Sequence, residues 1–351
     1  MASWVLHVDL DQFIAAVEIL RRPELRGLPL VIGGDGDPAR RGVVSTASYE
    51  ARAYGVHSGL PMRTAARRLP DAVFLPVDRD AYEAASAAAL TALRGLGRVV
   101  EVMGWDEAFV AADTGDPEGL ARQIQDAITT ATQLDCSVGI GENKLQAKLA
   151  TGFAKPAGVF RLTFANWQEV LGGRPPDALW GIGPKTARKL AVLGIHTVAA
   201  LAVADPAALA AAFGPTIGPW LVQAGRGLDP SMVTDEPYQP RGRGREQTFQ
   251  QDISDWAQVR RQVIRLAWRV AEDVATEQRP AARIVVKVRY APFSTATRGY
   301  PLPAPTLDPA AIEAGALAAL DRFTDHGPVR LLGVRAELAP DSGSQPAAHT
   351  L

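Results

Sequence analysis

The sequence predicts an α+β protein of several domains, and three observations predict it. At 351 residues the chain is too long for one simple core, so two to four domains are expected. Residues 4–160 alternate short apolar strands with helical patterns, as a mixed or antiparallel sheet with helices would. Residues 246–339 carry a second pattern in the order β-α-β-β-α-β, behind a stretch rich in Pro, Gly and Arg at 233–245.

Taken in order, WVLHVDL (4–10) reads as a strand. Period two puts Trp4, Leu6, Val8 and Leu10 on one face and His7, Asp9 and Asp11 on the other. Residues 12–22 read as a short helix, for which Asp11 is either the N-cap or a site contact. A strand is expected over 28–34, a strand running into a helix over 43–56, and an Ala-rich helix over 80–97. The segment 99–112 reads as strand, turn and strand, 117–132 as a helix, 136–140 as a strand and 143–154 as a helix. Residues 167–229 change to short helices punctuated by Gly and Pro. In the last unit a strand near 246–251 precedes a helix over 255–278. Its Trp256, Val259, Val263, Ala267, Val270 and Val274 lie at helical spacing. Strands at 284–290 and 294–300, a helix at 309–323 and a strand at 329–338 complete the unit, and the tail 341–351 is expected to be disordered.

Composition narrows the function classes. Hydrophobic residues make up 47% and charged residues 21%, ordinary values for a soluble globular chain. No run of about 18 apolar residues suggests a membrane span, and the N-terminus lacks the basic start and apolar core of a signal peptide. The single cysteine, Cys136, sits in an apolar-leaning segment and reads as a buried structural thiol rather than a nucleophile or zinc ligand. A cytoplasmic location follows as the expectation. Net charge is −1, but residues 240–300 hold 12 Lys and Arg against 6 Asp and Glu, leaving the remainder at −7. That asymmetry suggests a polyanion-binding part joined to a more acidic one.

Four segments carry candidate chemistry. Asp9 ends a strand and Asp106-Glu107 sit at the turn of WDEAF. Together they read either as ligands converging on divalent ions, which favour oxygen donors, or as surface turn acids. In STASYEAR (45–52), Thr46, Tyr49 and Arg52 can grip a triphosphate, Arg with forked donors; the plainer reading is an ordinary helix start. In NKLQAKLATGFAKPAG (143–158), Lys144, Lys148 and Lys155 form either a solvated basic face or, with Lys155 at the helix end, a phosphate partner. In LWGIGPKTARKLAVLGI (179–195), Gly181 and Gly183 before a helix bearing Lys185, Arg188 and Lys189 have the spacing of a helix-hairpin-helix. Its turn offers backbone N–H groups to DNA phosphates.

HVDLDQF, SYEARAYGVHSGLP, GWDEAF with SVGIGENKLQAKLATGFAKPAG, and GIGPKT occur in that order. As a set they resemble the Y-family translesion DNA polymerases of the DinB or DNA polymerase IV type, over roughly residues 4–340. The resemblance implies a right hand: palm at 1–11 and 78–166, fingers at 12–77, a helical thumb with helix-hairpin-helix at 167–232, a linker at 233–245 and a β-α-β-β-α-β little finger at 246–340. It implies that Asp9, Asp106 and Glu107, with the Leu10 carbonyl, hold two Mg²⁺ ions, for which Mn²⁺ can substitute. Thr46, Tyr49, Arg52 and Lys155 match the residues that hold the incoming triphosphate, and Gly181, Gly183 and Lys185 match the thumb hairpin on the DNA backbone. Arg241, Arg243, Arg245, Arg283, Lys287 and Arg289 are DNA-contact candidates by charge and placement. Primer-template DNA and dNTPs are the implied partners of a monomer that joins a primer 3′-hydroxyl to an α-phosphate.

The chain departs from the family pattern at several places. Phe13 fits an aromatic position, but at the next position, the steric gate, Ile14 stands where the family usually has Tyr or Phe. An aliphatic side chain there leaves room for a 2′-hydroxyl and opens the site to rNTPs, unless Phe13 takes over the gate or Ile14 serves core packing. Gly104-Trp105 and Phe109 also replace more usual residues. The tail shows no clear Gln-Leu-x-Leu-Phe-like clamp-binding peptide, so strong dependence on a sliding clamp is not expected, and an internal clamp site stays open. The competing expectation is a non-catalytic DNA-binding adaptor of a mutasome; family adaptors of that kind lack the metal acids, and all three are present here. A helix-hairpin-helix repair nuclease would account for the acids and thumb but not for STASYEAR.

Overall fold

The computed structural model describes residues 3–340; the tail expected to be disordered lies outside them. The described chain divides into two compact units. One comprises residues 3–36, 44–60 and 68–236, and the other residues 37–43, 61–67 and 237–340. Among the described residues no helix is long and apolar enough to cross a membrane.

The first unit opens with β1 (Ser3–Leu10) and α1 (Phe13–Arg21), followed by β2 (Leu30–Ile32), β3 (Thr46–Ala47) and the one-turn α2 (Tyr49–Arg52). Helix α3 (Met62–Arg68) falls almost wholly in the second unit. Then come β4 (Val73–Leu75), α4 (Arg79–Arg94), β5 (Val100–Val102), β6 (Glu107–Asp113), α5 (Pro117–Thr132), β7 (Cys136–Gly141), α6 (Lys144–Ala154) and β8 (Val159–Arg161). These build a five-stranded sheet in the order β5-β6-β1-β7-β8 and a small sheet in the order β3-β2-β4. The predicted two-faced β1 is present. Leu6, Val8 and Leu10 join Val110, Val138 and Ile140 in a core closed by Tyr82, Ala89 and Leu93 of α4 and Ile124 and Ile128 of α5. The small sheet has its own core, with Leu30, Ile32 and Leu75 against Ala15 of α1. The helical stretch contains α7 (Trp167–Leu171), α8 (Pro184–Val192), α9 (Val198–Ala202), α10 (Pro206–Phe213) and α11 (Ile217–Gly225), packed around Trp167, Leu190, Leu201 and Leu221.

Asp11 does not cap α1. The N-cap is Gln12, in the left-handed conformation (φ 41°, ψ 39°) and without a side-chain cap bond. A non-glycine residue holds that conformation only where its surroundings enforce it, which marks the β1–α1 junction as a constrained point.

The second unit contains β9 (Gly242–Ile253), α12 (Trp256–Glu277), β10 (Ala281–Tyr290), β11 (Thr295–Thr306), α13 (Pro309–Leu320) and β12 (Val329–Leu338), the expected β-α-β-β-α-β order. The sheet is antiparallel throughout, in the order β11-β10-β12-β9. Val259, Val263, Ala267, Val270 and Val274 of α12 pack on Ile284, Val286 and Val288 of β10. One boundary moves. The strand expected to begin near residue 246 begins at Gly242, because Gly242–Glu246 pair with Glu337–Gly333 of β12. Arg243 and Arg245 therefore belong to a strand and not to a linker.

Candidate active site

Sheet register assembles the acids. In the antiparallel β1–β6 pair Asp9 stands opposite Glu107 and His7 opposite Phe109, while in β1–β7 Asp9 stands opposite Ser137 and His7 opposite Gly139. Residues two apart on a strand share a face, so His7, Asp9, Glu107, Phe109, Ser137 and Gly139 lie on the side away from the α4–α5 core. Asp106 adjoins at the β5–β6 turn, where its carbonyl accepts from Leu10 N–H at 2.8 Å.

Helix α6 covers this face, and glycine lets it come close. A Cβ on Gly139 would lie 2.1 Å from the Ala147 carbonyl oxygen and 2.3 Å from the Thr151 nitrogen. The helix thereby lays Lys148 on Glu107 and brings Lys155, at its end, onto Asp9. His7 is buried beneath it. Its Nδ1 lies 2.9 Å from Thr151 Oγ1, an oxygen that also lies 3.1 Å from the His7 carbonyl and 3.0 Å from the Ala147 carbonyl. Its Nε2 lies 3.4 Å from Glu107 Oε2 and 3.3 Å from Lys148 Nζ, so an Nε2–H faces the Glu107 carboxylate and Nδ1 accepts from the Thr151 hydroxyl. Burial lowers the His7 pKa, which keeps the ring neutral.

Charge is balanced unevenly among the acids. His7 and Lys148 hold the Glu107 carboxyl down to about 2 despite its burial. Asp106 is raised, first by burial and then by the charges of Asp9 and Glu107. Among the described residues no three acidic, His or Cys side chains stand together as a ready cage for a metal ion. The donor set nonetheless suits a hard divalent cation. It is all oxygen, and Asp106 sits in the repulsive field of two carboxylates, which a cation relieves. Mg²⁺ in particular takes only one or two protein carboxylates and completes its shell with water and substrate phosphate.

Beside the acids lie the expected nucleotide contacts. Tyr49 donates its hydroxyl proton to Asp11 Oδ1 (2.7 Å), and the Arg52 guanidinium lies 5.1 Å from the centre of the Tyr49 ring. Arg52 Nε also donates to the Ala47 carbonyl at 2.9 Å. Thr46 sits on β3 opposite Ile32. Burial, with the Asp11 hydrogen bond, pushes the Tyr49 hydroxyl pKa upward, so it stays a proton donor. Phe13 is 3% exposed and belongs to the β1 core, whereas Ile14 is partly exposed and packs against both that core and the small-sheet core. Phe109 is buried, edge-on to His7 at 4.8 Å. Trp105 lies under the Arg79 guanidinium at 4.8 Å.

The remaining candidates lie elsewhere. Gly181 and Gly183 are exposed at the turn before α8, flanking the buried Ile182, with Lys185 exposed in the first turn of that helix. In the second unit Arg243 and Arg245 bond to Glu277 and Asp273 of α12, which places them on the helix-covered side of the sheet. Arg283 and Lys287 project from the other face and pair with Glu337 and Glu246. Arg289 is held by the Thr295 hydroxyl (3.0 Å), over the Phe293 ring. The Arg241 carbonyl accepts from Leu338 N–H.

Sequence reasoning passed over three members of the site. His7 carried a usable signal, since it lies two residues before Asp9 on the same strand face. Ser137 and Ala157, which both bond Asp11, carried none, because only long-range pairing brings them there.

The chain matches the impB/mucB/samB family over residues 8–152, that family's C-terminal domain over 240–347, and a SAM-like helix-hairpin-helix tandem over 177–218. It is 50% identical to DNA polymerase IV 2 of Mycobacterium tuberculosis over 340 residues, covering 96% of this chain and 98% of the relative. It is 39% identical to DNA polymerase IV of Methanoculleus marisnigri, covering 94% of this chain and 93% of the relative. Among solved structures a Y-family DNA polymerase chimera superposes with a TM-score of 0.81 at 25% identity, covering 95% of this chain and 98% of the other. DinB from Sulfolobus solfataricus superposes with a TM-score of 0.62 at 26% identity, over the same shares.

Proposed function

This chain belongs to the Y-family DNA polymerases of the DNA polymerase IV type, and from that premise we propose how its residues divide the work of a translesion enzyme. It is a DNA-directed DNA polymerase acting on primer-template DNA and nucleoside triphosphates. In our reading Asp9, Asp106, Glu107 and the Leu10 carbonyl hold divalent ions, two Mg²⁺ with Mn²⁺ as a substitute. The observation that carries this is the register that sets Asp9 opposite Glu107 with Asp106 adjoining. A divalent ion held there supplies Lewis-acid stabilisation of phosphoryl oxygens and eases deprotonation of the attacking hydroxyl.

The chain's own groups do the rest. Arg52 and Lys155 bring positive charge to the triphosphate and offset the charge that builds on departing pyrophosphate. Lys155 leaves Asp9 to do so, and its salt bridge to Asp9 keeps it at the site until substrate arrives. His7 and Lys148 fix the Glu107 carboxylate. Gly181, Gly183 and Lys185 of the hairpin, and Arg283, Lys287 and Arg289 on the open sheet face, contact DNA backbone. Arg241, Arg243 and Arg245 are weaker contacts in this reading, the latter two being engaged with α12 acids.

Ile14 sets sugar choice. What supports it over Phe13 is burial, since the Phe13 ring is occupied in the palm core. An aliphatic gate concedes a factor of about 10² to 10³ in discrimination, equivalent to about 3–4 kcal/mol. Single-nucleotide primer extension tests the whole reading. Asp106→Ala should abolish extension with either sugar. The parent should use rNTPs and dNTPs comparably, and Ile14→Phe should restore rejection of rNTPs. Strong rNTP rejection by the parent that persists in Ile14→Ala would overturn the gate assignment.

A further inference from the structure

Asp11 is two residues from Asp9, yet it faces different partners. Its carboxylate is 5% exposed and its oxygens are taken up by protein donors. Ser137 Oγ lies 3.0 Å from both oxygens, the Tyr49 hydroxyl donates to Oδ1 at 2.7 Å, and Ala157 N–H donates to Oδ2 at 2.7 Å. Lys155 Nζ stands 3.9 Å from Oδ1. Three segments remote in sequence thus meet on one carboxylate: α2, β7 and the turn after α6.

Packing anchors β7, whose residues are all buried, but holds α2 only lightly. Helix α2 is a single turn with only Ala51 buried. Behind Asp11, Tyr49, Pro156 and Ala157 lies a cavity of about 380 Å³. Hydrogen bonds do the holding: Ser48 Oγ accepts from Leu30 N–H (3.0 Å), Gln12 Oε1 accepts from Tyr49 N–H (2.7 Å), and Asp11 takes the Tyr49 hydroxyl. A tyrosine has one hydroxyl proton. With that proton on Asp11, the Tyr49 ring is held beside Arg52. On its other side Asp11 grips the amide two residues after Lys155.

We propose that Asp11 is a positioning residue of the nucleotide site, fixing Tyr49 and the Lys155-bearing turn relative to each other and so setting affinity for the incoming nucleoside triphosphate. This rests on the reading of Arg52 and Lys155 as triphosphate ligands. Asp11 is not itself a metal ligand, because its lone pairs face Ser137, Tyr49 and Ala157.

The test compares Asp11→Ala, Asp11→Asn, Tyr49→Phe, the double variant Asp11→Ala/Tyr49→Phe, and Lys155→Ala. Each is assayed for single-nucleotide kcat and KM, and for equilibrium dNTP affinity on a dideoxy-terminated primer. Asp11→Ala should raise KM and Kd by roughly 10-fold or more while kcat changes by less than about 3-fold, the pattern of lost uniform binding. Tyr49→Phe should raise KM by a smaller factor. The double variant should match Asp11→Ala within about 2-fold, since both changes cut one link. Asp11→Asn should stay within about 3-fold of the parent, because its oxygen still accepts Ala157 N–H and the two hydroxyls can turn to accept from its amide. KM unchanged in Asp11→Ala, or multiplicative effects in the double variant, overturns the inference. If Lys155→Ala raises KM while Asp11→Ala does not, this inference alone fails; if Lys155→Ala leaves KM unchanged, the triphosphate reading fails and takes the inference with it. Should Asp11→Ala not fold, Tyr49→Phe with raised KM beside parent-like Asp11→Asn supports the proposal, and any other pairing of those two overturns it.

Discussion

Gly139→Ala is expected to disable the enzyme from beneath the site. The added methyl would meet the Ala147 oxygen at 2.1 Å, the Thr151 nitrogen at 2.3 Å and Thr151 Oγ1 at 2.5 Å. Two of these atoms are backbone, so no rotamer change relieves the clash. Restoring an ordinary contact of 3.4 Å requires α6 to withdraw by about 1.3 Å. That displacement breaks the 2.9 Å His7–Thr151 bond and lifts Lys148 and Lys155 off the carboxylates. Overpacking of this kind costs about 1–3 kcal/mol of stability. A misplacement of about 1 Å in catalytic machinery costs about 10²-fold in rate. Gly152→Ala on the same helix is the control. Its Cβ would have nothing within 4 Å, so it should stabilise by about 0.5–1 kcal/mol through helix propensity and leave activity within about twofold. Urea unfolding and single-nucleotide kcat/KM read both effects. If Gly139→Ala kept parent stability and kcat/KM within twofold, or if Gly152→Ala did equal damage, the account of α6 as a closely seated cover would be refuted.

Two further outcomes follow from the pKa shifts. Glu107 is held at about 2 in the fold against an ordinary 4.5, so its ionised form stabilises the protein fully above pH 4.5 and loses that effect as pH falls toward 2. The unfolding midpoints of the parent and Glu107→Gln should therefore converge as pH drops from 6 toward about 3, and a constant gap would contradict the His7–Lys148 arrangement. Burial, with nearby carboxylates, pushes the Cys136 thiol up to about 12. A thiol reagent at pH 8 should leave the native protein unlabelled and modify one thiol on unfolding; rapid native labelling would show the β7 core to be open.

The β-α-β-β-α-β order of the second unit was legible because alternation on β10 and helical spacing on α12 are local patterns, and local patterns survive in a linear sequence. The same is true of the two faces of β1, which separated Leu6, Val8 and Leu10 from His7 and Asp9. The start of β9 was not legible. Gly and Arg at 242–245 read as linker chemistry, and only the partner strand β12 makes that segment extended and paired.

By itself the sequence determined the family, the acids at 9, 106 and 107, and an aliphatic residue at position 14. Each is a matter of residue type at a spacing. Tertiary structure alone decided which charges meet: Lys148 with Glu107, Lys155 with Asp9, Arg245 with Asp273, and Asp11 with donors 38, 126 and 146 residues away. The reason is physical. A carboxylate attracts any donor within a few ångströms, and which donor comes that close depends on sheet register and on two glycines, Gly139 and Gly141, that let a helix settle onto the strands.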